Sequence, residues 1–290
     1  MCGIAGIFNS KEMANYENIN KMLISIMHRG PDDISAHISN ESVFGSVRLA
    51  IFKLDHGQQP YVSKDKKTVV CFNGEIFNYF DLIEELKRFK KDIVIKSEIE
   101  LIYHLFIEFG YNFIKKINGQ FAISIKSNNK LILFRDPFGI RPIFYHKIKN
   151  EIIFCSEIKG ILSVKKNIGL NYKNLNQIIK YWAVIGENTI FEKINQVEAG
   201  SYIIFENGDI QKFKYYEEDY NAEKNKYSSF EEAKEDFNYN LLSAVKRQTH
   251  GDVEVGAYLS GGIDSTAISY CLNSLKDDSK TFSINFENRE

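Results

Sequence analysis

Disulfide and zinc frameworks have little to work with in this chain. Cys2, Cys71, Cys155 and Cys271 are the four cysteines among 290 residues, and no two form a CxxC pair. Scattered thiols of this kind exclude a stapled secreted scaffold and weaken any zinc or dithiol reading. No apolar run reaches the ~18 residues of a membrane span. The first residues carry no basic segment leading into an apolar stretch, so no secretory signal is expected. Net charge is nearly absent as well: 37 Lys and Arg stand against 38 Asp and Glu, with no basic run. A nucleic-acid or polyanion binder is therefore not expected. Proline is scarce, at 4 residues, and internal repeats are missing. A cytoplasmic protein with reduced thiols, bound to no membrane, is the expectation.

What is present is ordinary globular composition, 44% hydrophobic and 26% charged, enough for one large domain or two smaller ones. A strand is expected over 3–8 and a helix over 17–27, where Ile19, Met22, Leu23 and Ile26 recur at helical spacing. HRGPDD (28–33) stops it. Strands are expected at 35–39, 42–52 and 68–72, and helices at 77–90 and 97–109. Residues 119–155 alternate strands with turn segments such as SNNK and DPFG. Helices at 157–162 and 172–182 follow, then a hairpin turning at Asn207-Gly208. The polar stretch 217–227 reads as a linker. Beyond it a helix over 230–248 opens with Ser229 and Glu232 in a capping-box pattern. VEVGAYL, SGGIDS, a helix over 266–275 and TFSINF then spell a strand, a Gly-rich turn, a helix and a second strand. That is the start of a parallel α/β sheet.

The opening MCGIAGIF places a thiol behind the first methionine. If Met1 is removed, Cys2 becomes the first residue. Its α-amino group, with a pKa near ~7.7–8.0, is then a built-in general base one residue's length from its own thiol. Taken alone, Cys2 reads more simply as a small buried apolar residue at a strand start. His28 reads as a loop-packing residue, and Arg29 and Asp32 as residues that shape the loop.

Other segments occur with it in one order: HRGPDD, RLAI (48–51), QP (59–60), FNGEIFNY (72–79), GQFAISI (119–125), RDPFGIRPIFY (135–145) and SEIKGIL (156–162). Together they resemble the class II glutamine amidotransferase domain, of the N-terminal-nucleophile type, over residues 2–216. The resemblance implies an α+β fold with four αββα layers. It also implies hydrolysis of glutamine to glutamate and ammonia through a γ-glutamyl thioester, with no cofactor and no metal. By match, Cys2 is the nucleophile, and the Asn73 side chain and Gly74 N–H form the oxyanion hole. One such donor is worth roughly 3–4 kcal/mol of barrier. Arg48 matches the clamp on the substrate α-carboxylate, for which a guanidinium fork is suited. Leu49, Ile51, Phe52 and Glu75 would complete the pocket. One position departs from the pattern. Where the family carries Asp for the α-ammonium, KSEIE places Glu98, with the charge kept and the arm one methylene longer.

SGGIDS follows a strand and opens a helix, an arrangement whose backbone N–H groups bind anions. It lacks the Gly-Lys-Ser/Thr of a Walker A loop and resembles the pyrophosphate loop of ATP pyrophosphatases. The two modules together resemble glutamine-hydrolysing asparagine synthetases of the bacterial B type. There, aspartate is activated with ATP as β-aspartyl-AMP and ammonia reaches it from the glutaminase site. By match, Leu259 and Ile284 touch the adenine nucleotide, and Ser260, Gly261, Gly262, Asp264 and Ser265 hold its phosphates, with Mg²⁺ as counter-ion. Residues 228–290 are thus expected to be the truncated start of a synthetase domain. A fragment, a homodimer or a separate completing chain are the expected arrangements, with glutaminase activity alone for this polypeptide. Two other readings stay open: the same modules with a sugar or secondary-metabolite acceptor, and a non-catalytic remnant. RDPFGIRP is also similar to phosphoribosyl-pyrophosphate amidotransferases, whose second domain has no SGGIDS loop.

Overall fold

A computed structural model describes residues 1–219, 227–276 and 278–285. The chain divides into two units, Met1–Ala50 with Leu54–Glu217, and Ile51–Lys53 with Glu218–Glu290. Of the expected linker 217–227, residues 220–226 lie outside the described residues.

In the first unit the elements run β1 (Gly3–Phe8), α1 (Tyr16–Ser25), β2 (Asp33–Ser39), β3 (Ser42–Arg48), β4 (Tyr61–Val62), β5 (Thr68–Ile76), α2 (Tyr79–Phe89) and α3 (Glu98–Phe109). They continue with β6 (Gly119–Ser127), β7 (Lys130–Arg135), β8 (Phe144–Ile148), β9 (Glu151–Cys155), α4 (Ile158–Val164), α5 (Tyr172–Tyr181), β10 (Ile194–Gln196), β11 (Ser201–Glu206) and β12 (Asp209–Lys214). Two six-stranded sheets result, in the orders β10-β8-β9-β1-β3-β2 and β12-β11-β7-β6-β5-β4. Every neighbouring pair in them is antiparallel.

Period-2 alternation explains how both faces of these strands are filled. In β1, Ile4 and Phe8 join a core with Val69, Cys71, Leu131 and Phe205 of the other sheet. Ala5 and Ile7 face the opposite way, toward Ile19, Met22 and Leu23 of α1 and Ile161 of α4. The β9 residues Ile152 and Phe154 divide from Ile153 and Cys155 in the same manner. Helix α3 packs on β5, with α2 against α3. Helices, sheet, sheet and helices form the four αββα layers that the resemblance implied.

Two strands have different lengths from those expected. The strand expected over 42–52 ends at Arg48, and that expected over 68–72 runs on to Ile76, because β6 pairs with it along all nine residues. These two strand ends matter for the site. Strand β1 is antiparallel to β3 with Gly3 opposite Val47, so Cys2 begins where β3 ends. Strand β5 contacts both across the sandwich.

The second unit contains α6 (Phe230–Gln248), β13 (Gly256–Tyr258), α7 (Ile263–Leu275) and β14 (Lys280–Phe282). The Ser229 Oγ accepts from Glu232 N at 3.1 Å, while the Glu232 carboxylate returns to Ser228 N at 2.8 Å rather than to Ser229. Strands β13 and β14 are parallel, as expected, but each is three residues long. The expected strand 253–259 shrinks to a short core, and so does 281–286 as far as Asn285, Phe286 lying outside the described residues. Tyr258, Phe282 and Ile284 remain exposed, as expected of a parallel sheet with uncovered faces.

Candidate functional site

Cys2 is half-buried, and its Sγ accepts the Leu49 N–H at 3.4 Å. Burial pushes this thiol up; the Leu49 hydrogen bond, the chain's amino terminus and Arg48 pull it back, and Glu98 opposes them. The amino group itself, here that of Met1, is lowered by burial, with Arg141 and Arg29 adding to the effect. Cys71 and Cys155 differ sharply: complete burial pushes both up to about 12, which makes them inert packing groups.

Arg29 fixes the backbone at Cys2. Its Nε donates to Cys2 O at 2.9 Å, and its Nη1 donates to Glu157 Oε1 at 3.0 Å. His28 Nε2 meets the same Glu157 oxygen at 2.9 Å; its side chain is more than half exposed, so it makes a surface hydrogen bond rather than the loop packing expected of it. Asp32 Oδ2 accepts the Ala50 N–H at 2.8 Å, which shapes the loop as expected. Sequence reasoning gave Glu157 no role, although it lies inside one of the matched segments.

Arg48 closes β3, buried, with Nη1 on Leu54 O at 3.2 Å and Nη2 on His56 O at 2.9 Å. Those carbonyls hold both terminal nitrogens of the guanidinium. Leu49 is the residue on the Cys2 thiol. Ile51 and Phe52 belong to the second unit, where Ile51 O accepts Asp252 N at 3.0 Å and the Phe52 ring meets His250 edge-on at 5.3 Å.

Asn73 lies in β5, wholly buried, and neither its Oδ1 nor its Nδ2 has a hydrogen-bond partner. An orphaned amide of this kind is expensive and calls for an explanation. Gly74 follows. A Cβ there would stand 2.0 Å from Gln120 O and 2.8 Å from Phe121 Cα. The close approach that requires glycine is thus to the backbone of β6. On either side, Phe72 N donates to Gln59 Oε1 at 2.7 Å and Ile76 N to Glu98 Oε1 at 2.6 Å. Glu98 is the first residue of α3, half-buried. Burial pushes its carboxyl up to about 8, with the Ile76 hydrogen bond lowering it, Glu75 raising it and Arg48 lowering it. Strand β5 contacts β1 and β3, and the Glu98 and Glu75 charges act on Cys2 and on the amino terminus respectively.

In the second unit, Gly261 takes φ +84, a left-handed conformation that favours glycine. Gly262 caps α7 without a side-chain hydrogen bond, so the first-turn amides are not covered by a capping side chain. Ser260 and Ser265 join their hydroxyls at 3.1 Å across the loop, and Asp264 stands in the first turn of α7. Leu259 N donates to Phe282 O at 2.8 Å, beside Ile284 two residues on.

Comparison with known proteins gives two family matches. Residues 1–216 match the glutamine amidotransferase domain family, and residues 236–290 match the asparagine synthase family. Asparagine synthetase (glutamine-hydrolysing) 1 of Bacillus subtilis is 32% identical, over 99% of this chain and 46% of its own length. Asparagine synthetase (glutamine-hydrolysing) 2 of the same organism is 35% identical, over 98% of this chain and 40% of its own length. The chain thus spans about half the length of the curated relatives it matches. Among solved structures, the glutamine phosphoribosylpyrophosphate amidotransferase of Bacillus subtilis aligns with TM-score 0.55 and 16% identity, over 94% of this chain and 64% of that one. The likeness is one of fold. Among the described residues, no helix is long and apolar enough to cross a membrane.

Proposed function

We propose, for a chain that belongs to the glutamine amidotransferase family, that the first unit hydrolyses glutamine from a pocket built of Arg48, Leu49, Asn73, Gly74, Glu75 and Glu98. Removal of Met1 makes the α-amino group that of Cys2. That amine takes the thiol proton as Sγ attacks the glutamine γ-carbonyl carbon. The carbonyl oxygen becomes an oxyanion, held by the Asn73 Nδ2–H and the Gly74 N–H. As the C–N bond breaks, the ammonium returns its proton to the leaving nitrogen, and ammonia departs from a γ-glutamyl thioester. The same amine then deprotonates water, which cleaves the thioester to glutamate and restores the thiol. Arg48 holds the substrate α-carboxylate and Glu98 the α-ammonium, so the γ-carbon is fixed from both ends.

The observation that supports this most is the buried, unpartnered Asn73 amide beside Gly74 within β5. The test is glutamine hydrolysis by wild type and Cys2→Ala, with intact mass to read removal of Met1. Equal rates in the two proteins would sink the mechanism.

The ammonia, in this reading, amidates aspartate activated as β-aspartyl-AMP, in line with the names of the relatives. The loop residues Ser260, Gly261, Gly262, Asp264 and Ser265 would hold ATP phosphates. The left-handed Gly261 and the amides at the start of α7 fit an anion. When bound, ATP with Mg²⁺ supplies the adenylyl group that activates a carboxylate. Leu259 and Ile284 would face the nucleotide base. A homodimer or a completing chain, acting in the cytoplasm, belongs to the same proposal. The free, buried thiols of Cys71 and Cys155 suit a reducing compartment.

A further inference from the structure

We propose that Gln59 and Glu98 are positioning residues that bracket the oxyanion donor, taking the amides on either side of Gly74 and leaving its N–H as the open donor of the β5 edge. The inference rests on the reading of Gly74 as part of the oxyanion hole.

Amides two residues apart on a strand point to the same edge. Strand β5 pairs with β6 on one edge, and the even-numbered amides serve the other. Thr68 N donates to Ser63 Oγ at 3.0 Å, and Val70 lies opposite Tyr61 of β4. Phe72 N is taken by Gln59 Oε1 and Ile76 N by Glu98 Oε1. Gly74 falls between them. Among the described residues, no acceptor stands on its N–H.

The way β4 ends explains the gap. Continuing its register would place Gln59 opposite Phe72. The main chain turns away instead, and Gln59 O takes the Ser35 hydroxyl. The Gln59 side chain therefore stands in for a strand at one amide, and the Glu98 side chain does so four residues further on. Both anchors are held. Gln59 is buried, and Glu98 is fixed at the start of α3. In that register Gly57 would stand opposite Gly74, so a β4 strand four residues longer would cover it; unbracketed, the edge would be free to shift. The oxyanion contact tolerates little such movement, since a displacement of about 1 Å costs on the order of a hundredfold in rate.

Steady-state glutamine hydrolysis by the full chain, per folded molecule, tests this. Gln59→Leu removes the acceptor on Phe72 N. Its kcat should fall on the order of tenfold to a hundredfold, with KM for glutamine little changed. Gln59→Glu keeps an oxygen at the same reach and should recover most of kcat. If Gln59→Leu does not fold, Gln59→Asn, with its shorter arm, must show the same loss. A wild-type kcat in Gln59→Leu or Gln59→Asn would overturn the bracket, and so would a Gln59→Glu variant as slow as Gln59→Leu. A wild-type chain with Met1 removed and no glutaminase activity would overturn the proposed function and this inference with it.

Discussion

The Glu98 carboxyl group receives the Ile76 N–H at 2.6 Å, so the first residue of α3 is tied to the last residue of β5. The same group is pushed up to about 8 by burial, against an ordinary value of 4.5. In the proposed function it must be ionised to hold the ammonium of glutamine. Raising the pH through 8 ionises it, so KM for glutamine should fall as pH rises from about 7 to about 9. Glu98→Gln keeps an acceptor for Ile76 N and should flatten that dependence. Stability gives an independent sign. Between 4.5 and 8 the folded state holds a proton that the unfolded chain has lost, so stability falls as pH rises across this window. Urea melts at several pH values should show that slope in wild type and a weaker one in Glu98→Gln.

Asn73 should separate activity from stability. Its amide is buried with both polar atoms unpartnered, so an apolar residue of similar shape relieves a penalty. Asn73→Leu is expected to melt at or above the wild-type temperature. Its kcat should fall by about 10²–10³ with the loss of one oxyanion donor. Thermal melts and steady-state kinetics on one preparation check both halves. A destabilised Asn73→Leu with normal kcat would assign the side chain to packing.

Cys2, Arg48 and the Asn73-Gly74 pair could be picked out of the sequence as candidates because each sits in a local run that stands out without tertiary contacts. MCGIAGIF, RLAI and FNGEIFNY are such runs. The layers were legible because period-2 alternation marks strands such as β1 and β9. Less legible was where the strands end. Residues 49–52 continue an apolar pattern but leave the sheet, and Asn73-Gly74 resembles a turn yet lies within β5. Pairing with β6 decides the second case, and that is a long-range contact. Gln59 left no signal of its own role. A side chain that replaces a strand at one amide has no periodicity, and its partner Phe72 is thirteen residues away. Glu157 reaches Arg29 from 128 residues away, which hides it for the same reason.

Gly74→Ala should be poorly tolerated. Its Cβ would lie 2.0 Å from Gln120 O and 2.8 Å from Phe121 Cα, and both are backbone atoms of a paired strand. Neither gives way as a flexible side chain would. Destabilisation of about 1–3 kcal/mol is expected, with loss of most glutaminase activity, because any relief moves β5 away from β6. Denaturant titration gives the first figure. A variant with wild-type stability and rate would place the β5–β6 approach elsewhere.

Arg29 and His28 share one partner and should behave differently. Arg29 is buried and joins Cys2 O to Glu157, whereas the His28 side chain is 55% exposed. Arg29→Met removes the side-chain donor on Cys2 O and leaves Glu157 with only His28 and Lys159. It should lower stability by about 1–3 kcal/mol and slow hydrolysis, since the backbone of the nucleophile loses its anchor. His28→Ala should stay within about 0.5 kcal/mol of wild type. The pH dependence points the same way. Burial pushes the Glu157 carboxyl up, but hydrogen bonds from Arg29, Lys159 and His28 bring it below its ordinary value of 4.5. The folded state thus holds this proton less tightly than the unfolded chain. The resulting stabilisation is present above 4.5 and is lost as pH falls through the lower folded value. Melts between about pH 3 and pH 6 should show that loss in wild type and in His28→Ala, and a smaller one in Arg29→Met. An acid limb unchanged by Arg29→Met would mean that Arg29 does not hold the carboxylate.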